Sequence, residues 1–184
     1  MGCNSSSPAT GPQKTGNKKG GKLVLGYLNV RGGCHGNVAR FMLAHSGANW
    51  EERTYERGTP DWGNDKKTIM DFTNLPYIID GKFKVSETFA VHQFIAGKCL
   101  PSALGTTPQE KARAYQLECI GNEIVIGYTK MCFSPEGTKE SVTAASVAGL
   151  DKLGNLLRDG KQFLTGSCPV IADFILYEHI NFVQ

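Results

Sequence analysis

Long apolar runs are missing from this 184-residue chain, and no stretch of it approaches the roughly 20 residues that a membrane-spanning helix needs. Metal-type clusters are missing too. The six cysteines, Cys3, Cys34, Cys99, Cys119, Cys132 and Cys168, include no C-x-x-C pair and no histidine spacing suited to zinc, so neither a redox dithiol nor a metal site is indicated and a reduced, cytosolic setting is expected. Acidic residues are absent from the first 22 positions, where Lys14, Lys18, Lys19 and Lys22 contribute +4; taken from the overall +3, this leaves −1 for the rest. A basic, nucleic-acid-binding domain is therefore not supported, because phosphate-neutralising cations would have to lie on the fold itself.

What is present reads as a soluble two-part protein with a tail: 40% of residues are hydrophobic and 20% charged, ordinary values for a globular chain. Residues 1–21 form a Ser/Gly/Pro/Lys-rich segment that cannot build a core. It opens Met1-Gly2-Cys3-Asn4-Ser5-Ser6, the pattern for myristoylation at Gly2, with Cys3 beside it as a palmitoylation site. One myristoyl chain binds membranes only marginally, so a second acyl chain or basic residues worth about 1 kcal/mol each at an anionic leaflet must add to it. The expectation is a cytoplasmic protein held at the inner leaflet.

Residues 22–99 read as an α/β unit. Lys22 to Tyr27 predicts a strand, Val38, Phe41, Met42 and His45 mark the stripe of an amphipathic helix, and Trp50 to Tyr55 predicts a second strand followed by an irregular charged segment to Phe72. A strand entered through Pro76, an Asp80-Gly81 turn, a further strand and a helix with Val91, Phe94 and Ile95 on one face complete it. Residues 100–107 read as a linker. Residues 108–184 are helical, with stripes at Leu117, Ile120, Gly121, Ile124, Val125 and Tyr128, then at Leu150, Leu153, Leu156 and Leu157, and a buried helix from Ile171 to Phe182.

The most informative stretch is 74–93, from Asn74-Leu75-Pro76-Tyr77 to the helix opening on Ser86-Glu87-Thr88. Proline cannot donate to a ladder, so Pro76 leaves the backbone of Leu75 available to pair with an extended ligand, especially across a cis bond. The helix start at Glu87 and Thr88 offers free amides and a positive dipole end to a carboxylate. Such a unit holds a peptide, and glutathione fits both halves.

Tyr27 in Leu25-Gly26-Tyr27-Leu28-Asn29-Val30-Arg31-Gly32, Trp62 with Lys66, Asn74-Leu75-Pro76-Tyr77 and Ala172-Asp173-Phe174 resemble, in order and spacing, the cytosolic glutathione transferases of the mu-like group from about Lys22 to Val183. The resemblance implies a thioredoxin-like N-terminal domain followed by an all-α domain, with glutathione as co-substrate, no cofactor, a small hydrophobic electrophile as second substrate and a two-fold homodimer. Tyr27 falls at the catalytic tyrosine, whose hydroxyl lowers the pKa of a thiol from about 8.5. Trp62 and Lys66, with Asn74 nearby, fall where the glycyl carboxylate is held, Leu75 and Pro76 where the peptide backbone pairs, and Glu87 and Thr88 where the γ-glutamyl end is taken. Glu123 falls where an acid reaches the partner subunit's ligand.

Cys34, in the loop before the first helix, is the rival nucleophile, since a helix N-terminus can depress a thiol pKa. Departures from the family pattern are also visible. Phe133 replaces a second active-site tyrosine in the electrophile pocket, two extra Gly-rich residues follow Arg31, and Val170 replaces a capping Ser or Thr worth about 1 kcal/mol. The helical part is incomplete relative to the family, which removes much of the electrophile pocket. Two functions follow: conjugation of glutathione to electrophiles, or a non-catalytic module of the same fold docked at a membrane or in a larger assembly.

Overall fold

The computed structural model describes residues 21–183 apart from 31, 33, 136, 159 and 167, with the side chains of 128, 131, 132, 133 and 183 left out. Four strands, β1 (Leu23–Leu28), β2 (Trp50–Tyr55), β3 (Tyr77–Asp80) and β4 (Phe83–Ser86), form one sheet in the order β2-β1-β3-β4. β1 and β2 run parallel, while β3 is antiparallel to both β1 and β4. The parallel pair needs a crossover, supplied by α1 (His35–Ser46), and α3 (Thr88–Cys99) follows β4. This is the thioredoxin-like unit expected.

Alternation decides which face of β1 is covered. Leu23, Leu25 and Tyr27 are buried on one side, with Leu23 and Leu25 in the core with Val38, Met42 and Leu43 of α1 and Val91 and Ile95 of α3. α1 stops at Gly47, whose φ of 66° is open to glycine at little cost. The charged segment after β2, expected to be irregular, contains a short helix, α2 (Asp61–Asp65), and the linker contains a 3₁₀ turn over Pro101–Leu104. Both are too short for periodicity to reveal.

Three further helices, α4 (Pro108–Phe133), α5 (Lys139–Gly154) and α6 (Ile171–Val183), make the helical part. Leu117, Leu153 and Leu176 lie in one core shared by the three. Thr138 and Ser141 exchange side-chain and backbone hydrogen bonds at the start of α5. At α6 the hydroxyl cap is missing, as Val170 implied, yet Asp173 still accepts from the amides of Val170 at 2.8 Å and Leu164 at 2.9 Å.

Ile171, Phe174 and Ile175 of α6 enter the core beneath α1, so the two parts share apolar packing. Cys34, Cys99 and Cys119 are free thiols, but Cys168 is disulfide-bonded, a departure from the wholly reduced set expected. Among the described residues no helix is long and apolar enough to cross a membrane, and no cluster of His, Cys, Asp and Glu could hold a metal ion.

Candidate active site

Strand register alone gathers the site. Tyr27 pairs with Thr54, Leu28 with Tyr55, Gly26 with Tyr77 and Tyr77 with Ser86, so the C-terminal ends of β1, β2 and β4 and the N-terminal end of β3 meet at one end of the sheet. The residues leading into β3, including Leu75 and Pro76, and the N-termini of α1 and α3 therefore lie there too. Clefts beyond the carboxyl ends of parallel strands are where α/β sheets bind ligands.

Tyr27 lies near the end of β1 and is 9% exposed. Burial pushes its pKa up to about 12, with the nearby Cys34 adding to this, while the Gly36 amide and the guanidinium groups of Arg40 and Arg57 act the other way. The phenol is thus protonated at neutral pH and able to donate. Its ring packs on the backbone of Gly36, and the Arg40 guanidinium sits 5.7 Å from its centroid.

Arg40 is buried by purpose rather than by accident of packing. It donates to the carbonyls of Leu28 at 3.1 Å and Val30 at 2.9 Å, to Asn37 Oδ1 at 2.5 Å and to Glu52 Oε1 at 2.6 Å, so its charge is paired and the loop after β1 is tied down. Glu178, 1% exposed on α6, accepts from the Cys34 amide at 3.1 Å and from Asn37 Nδ2 at 2.9 Å. A carboxylate at the start of α1 satisfies an orphan amide there and favours the helix dipole. Gly36, Arg40 and Glu178 are not singled out by the sequence; the one visible signal is the charge of Glu178 on the apolar side of α6.

Cys34, the rival nucleophile, has surroundings that disfavour a thiolate. It sits at the N-cap of α1, as expected, but burial pushes its thiol pKa up, and the Glu178 carboxylate adds to that. Desolvation outweighs the Asn37 amide and the Arg40 charge, which act the other way.

At the peptide-binding end, the Leu75-Pro76 bond is cis, and the Leu75 amide is taken by Asn74 Oδ1 at 2.9 Å. Glu87 has φ 75°, a strained conformation for a residue with a side chain. Its carboxylate accepts from Asn74 Nδ2 at 2.9 Å. Asn74 and Glu87 meet because the β3–β4 hairpin brings both of its outer ends together. Ser86 does not cap α3; its hydroxyl donates to the Phe72 carbonyl at 2.7 Å. Thr88 is the first residue of α3 and is half-buried.

Trp62 lies on α2 and Lys66 just past its end, exposed. Trp62 packs edge-on against Tyr55, with ring centroids 5.2 Å apart. Glu123 is exposed on α4. Phe133 ends α4, and its side chain lies outside the described residues, as do Gly2 and Cys3 entirely.

Residues 23–97 match the family described as "Glutathione S-transferase, N-terminal domain". The chain is 33% identical over 164 residues to the class-mu 26 kDa isozyme 51 of Fasciola hepatica, covering 87% of this chain and 73% of that protein. It is 34% identical over 167 residues to the class-mu 26 kDa isozyme of Schistosoma mansoni, covering 86% and 72% respectively. Among solved structures, the fold is similar to "NaGST-2", with a TM-score of 0.72 at 19% identity over 87% of this chain and 79% of that one. It is also similar to a nu-class enzyme from Haemonchus contortus, with a TM-score of 0.69 at 17% identity, covering 89% and 83%.

Proposed function

Because the chain belongs to the glutathione S-transferase family and is a glutathione transferase, we propose that it conjugates reduced glutathione to small hydrophobic electrophiles through Tyr27. The phenol donates to the glutathione sulfur, the thiol proton leaves, and the thiolate forms a bond to the electrophilic carbon while a leaving group departs or a double bond is saturated. Trp62 and Lys66 take the glycyl carboxylate, Leu75 offers its carbonyl to the peptide backbone beside Pro76 while Asn74 holds its amide, and Glu87 and Thr88 take the γ-glutamyl end. Phe133 contributes an apolar wall to the electrophile side, and Glu123 reaches across to the partner subunit's ligand. The observation that carries this reading is the single sheet end at which a protonated Tyr27, the Leu75-Pro76 peptide and a strained Glu87 are gathered. Retention on immobilised glutathione followed by a conjugation assay tests it; a retained protein that conjugates nothing would instead favour the non-catalytic docking module.

A homodimer is part of the reading. Phe72 is 94% exposed at φ 56°, and its carbonyl is held by the Ser86 hydroxyl. A large ring fixed outward at a backbone cost is suited to insertion into a second copy.

The tail reading rests on sequence. Gly2 and Cys3 carry acyl chains and the lysines add attraction to an anionic leaflet, placing the enzyme at the inner face of a membrane. Gly2→Ala should release it to the soluble fraction; a wild type already soluble and indistinguishable from that variant would remove the anchor from the account.

A further inference from the structure

β2 and β3 are separated by β1, yet their tyrosines meet. Gly26 of β1 pairs with Tyr77, and a Cβ at Gly26 would lie 2.0 Å from Tyr77 Cζ. The bare backbone lets the Tyr77 ring lie across β1, and its hydroxyl reaches that of Tyr55 at 2.7 Å. Tyr55 in turn donates to Asp65 Oδ2 at 2.7 Å. Each phenol has one proton, and Tyr55 gives its own to Asp65, so Tyr77 must be the donor to Tyr55. Tyr55 and Tyr77 are 2% and 0% exposed, and burial raises the pKa of both, so both protons stay in place at neutral pH.

The chain of hydrogen bonds ends on the last residue of α2. That helix is five residues long and buries none of them, so little apolar packing holds it against the sheet. Among the described residues its side-chain attachments to the sheet are the Asp65 carboxylate, shared between the Tyr55 hydroxyl and an ion pair with Arg53, and the contact of Trp62 with the Tyr55 ring. Tyr55 makes two of these contacts itself, one with its hydroxyl and one with its ring.

We propose that Tyr55 is a positioning residue for the glycyl carboxylate of glutathione: its hydroxyl, supported by Tyr77, holds Asp65 and thereby α2, so that Trp62 and Lys66 face that carboxylate. This rests on the reading of Trp62 and Lys66 given above. The same relay ties α2 to the strand that Leu75 and Pro76 enter, so the two ends of the peptide site keep a fixed separation. Tyr55 touches no substrate atom and acts through α2 alone.

The test is steady-state kinetics of the full chain with glutathione and with its glycyl ethyl ester, which lacks the carboxylate charge. Tyr55→Phe keeps the ring under Trp62 and deletes only the hydroxyl. It should raise KM for glutathione by about tenfold, the scale of one well-placed hydrogen bond, leave kcat at saturation within about twofold, and change KM for the ester by less than about twofold. Asp65→Asn retains an acceptor for Tyr55 and should stay closer to wild type than Asp65→Ala. Trp62→Ala and Lys66→Ala serve as references. If they raise KM for glutathione alone while Tyr55→Phe does not, positioning by Tyr55 is wrong; if they leave KM for glutathione unchanged, the glycyl reading itself is wrong. A Tyr55→Phe variant that raises both KM values equally shows general loosening and also overturns the proposal.

Discussion

The backbone of Gly36 lies so close to the Tyr27 ring that a Cβ there would meet Tyr27 Cδ1 at 2.1 Å. The second residue of α1 and Tyr27 of β1, the proposed catalytic tyrosine, are therefore fitted to one another, and neither can change size alone. Gly36→Ala must push the ring aside. A displacement of about 1 Å at a reacting group costs on the order of 10² in rate, so kcat/KM for conjugation should fall by that factor while the protein still folds. Circular dichroism beside the rate separates displacement from unfolding, and an unchanged rate would show that the ring position is not critical.

Cys34 should be dispensable. Its thiol is raised in pKa by burial, and the hydrogen bond at its position to Glu178 comes from the backbone amide, which serine retains. Conjugation by Cys34→Ser should stay within about twofold of wild type, since burial disfavours a thiolate there. Loss of activity in Cys34→Ser, with Tyr27→Phe unaffected, would transfer the catalytic role to the cysteine.

The thioredoxin-like unit was legible because its signals are local: the 3.6-residue stripe of α1, the Asp80-Gly81 turn, and a proline at a strand entry. The relations that build the site were not. Arg40 reads in sequence as a solvated helix charge, and only the tertiary fold turns it inward onto the carbonyls of Leu28 and Val30. The hydrogen bond from Asn74 to Glu87 is not legible either, because the partners are thirteen residues apart across a hairpin whose closing contact no periodicity reports. α2 went unseen because five residues that bury nothing carry no apolar pattern.

Phe72 should hold the dimer. Exposed aromatic anchors that fill a partner's pocket commonly contribute 2 kcal/mol or more, so Phe72→Ser should raise the dimer dissociation constant by at least about 30-fold. Sedimentation across a concentration series reads this directly. A wild-type monomer at micromolar concentration, or a variant that dimerises equally well, would place the interface elsewhere.

Stability should fall on acidification through His35. Burial, with the neighbouring His92 adding to it, lowers the His35 pKa from 6.5 to about 4. The unfolded chain then binds the proton more readily than the folded one between those values, so unfolding free energy rises with pH from about 4 to 6.5 and is level above. At pH 5 the loss is about 2 kcal/mol. Denaturant unfolding at pH 7 and pH 5 should show it, and His35→Gln should flatten the difference; an equal pH dependence in the variant would assign the effect to another group.

The central claim is that Tyr27 stabilises the thiolate of bound glutathione, and the ultraviolet absorbance of that thiolate, titrated against pH in the binary complex, tests it most directly. In the wild type the bound thiol should ionise well below its free value of about 8.5, and in Tyr27→Phe it should return close to that value, with conjugation at neutral pH lower by roughly 10² to 10³ and glutathione affinity little changed. A Tyr27→Phe complex whose thiol keeps the lowered pKa would contradict the account.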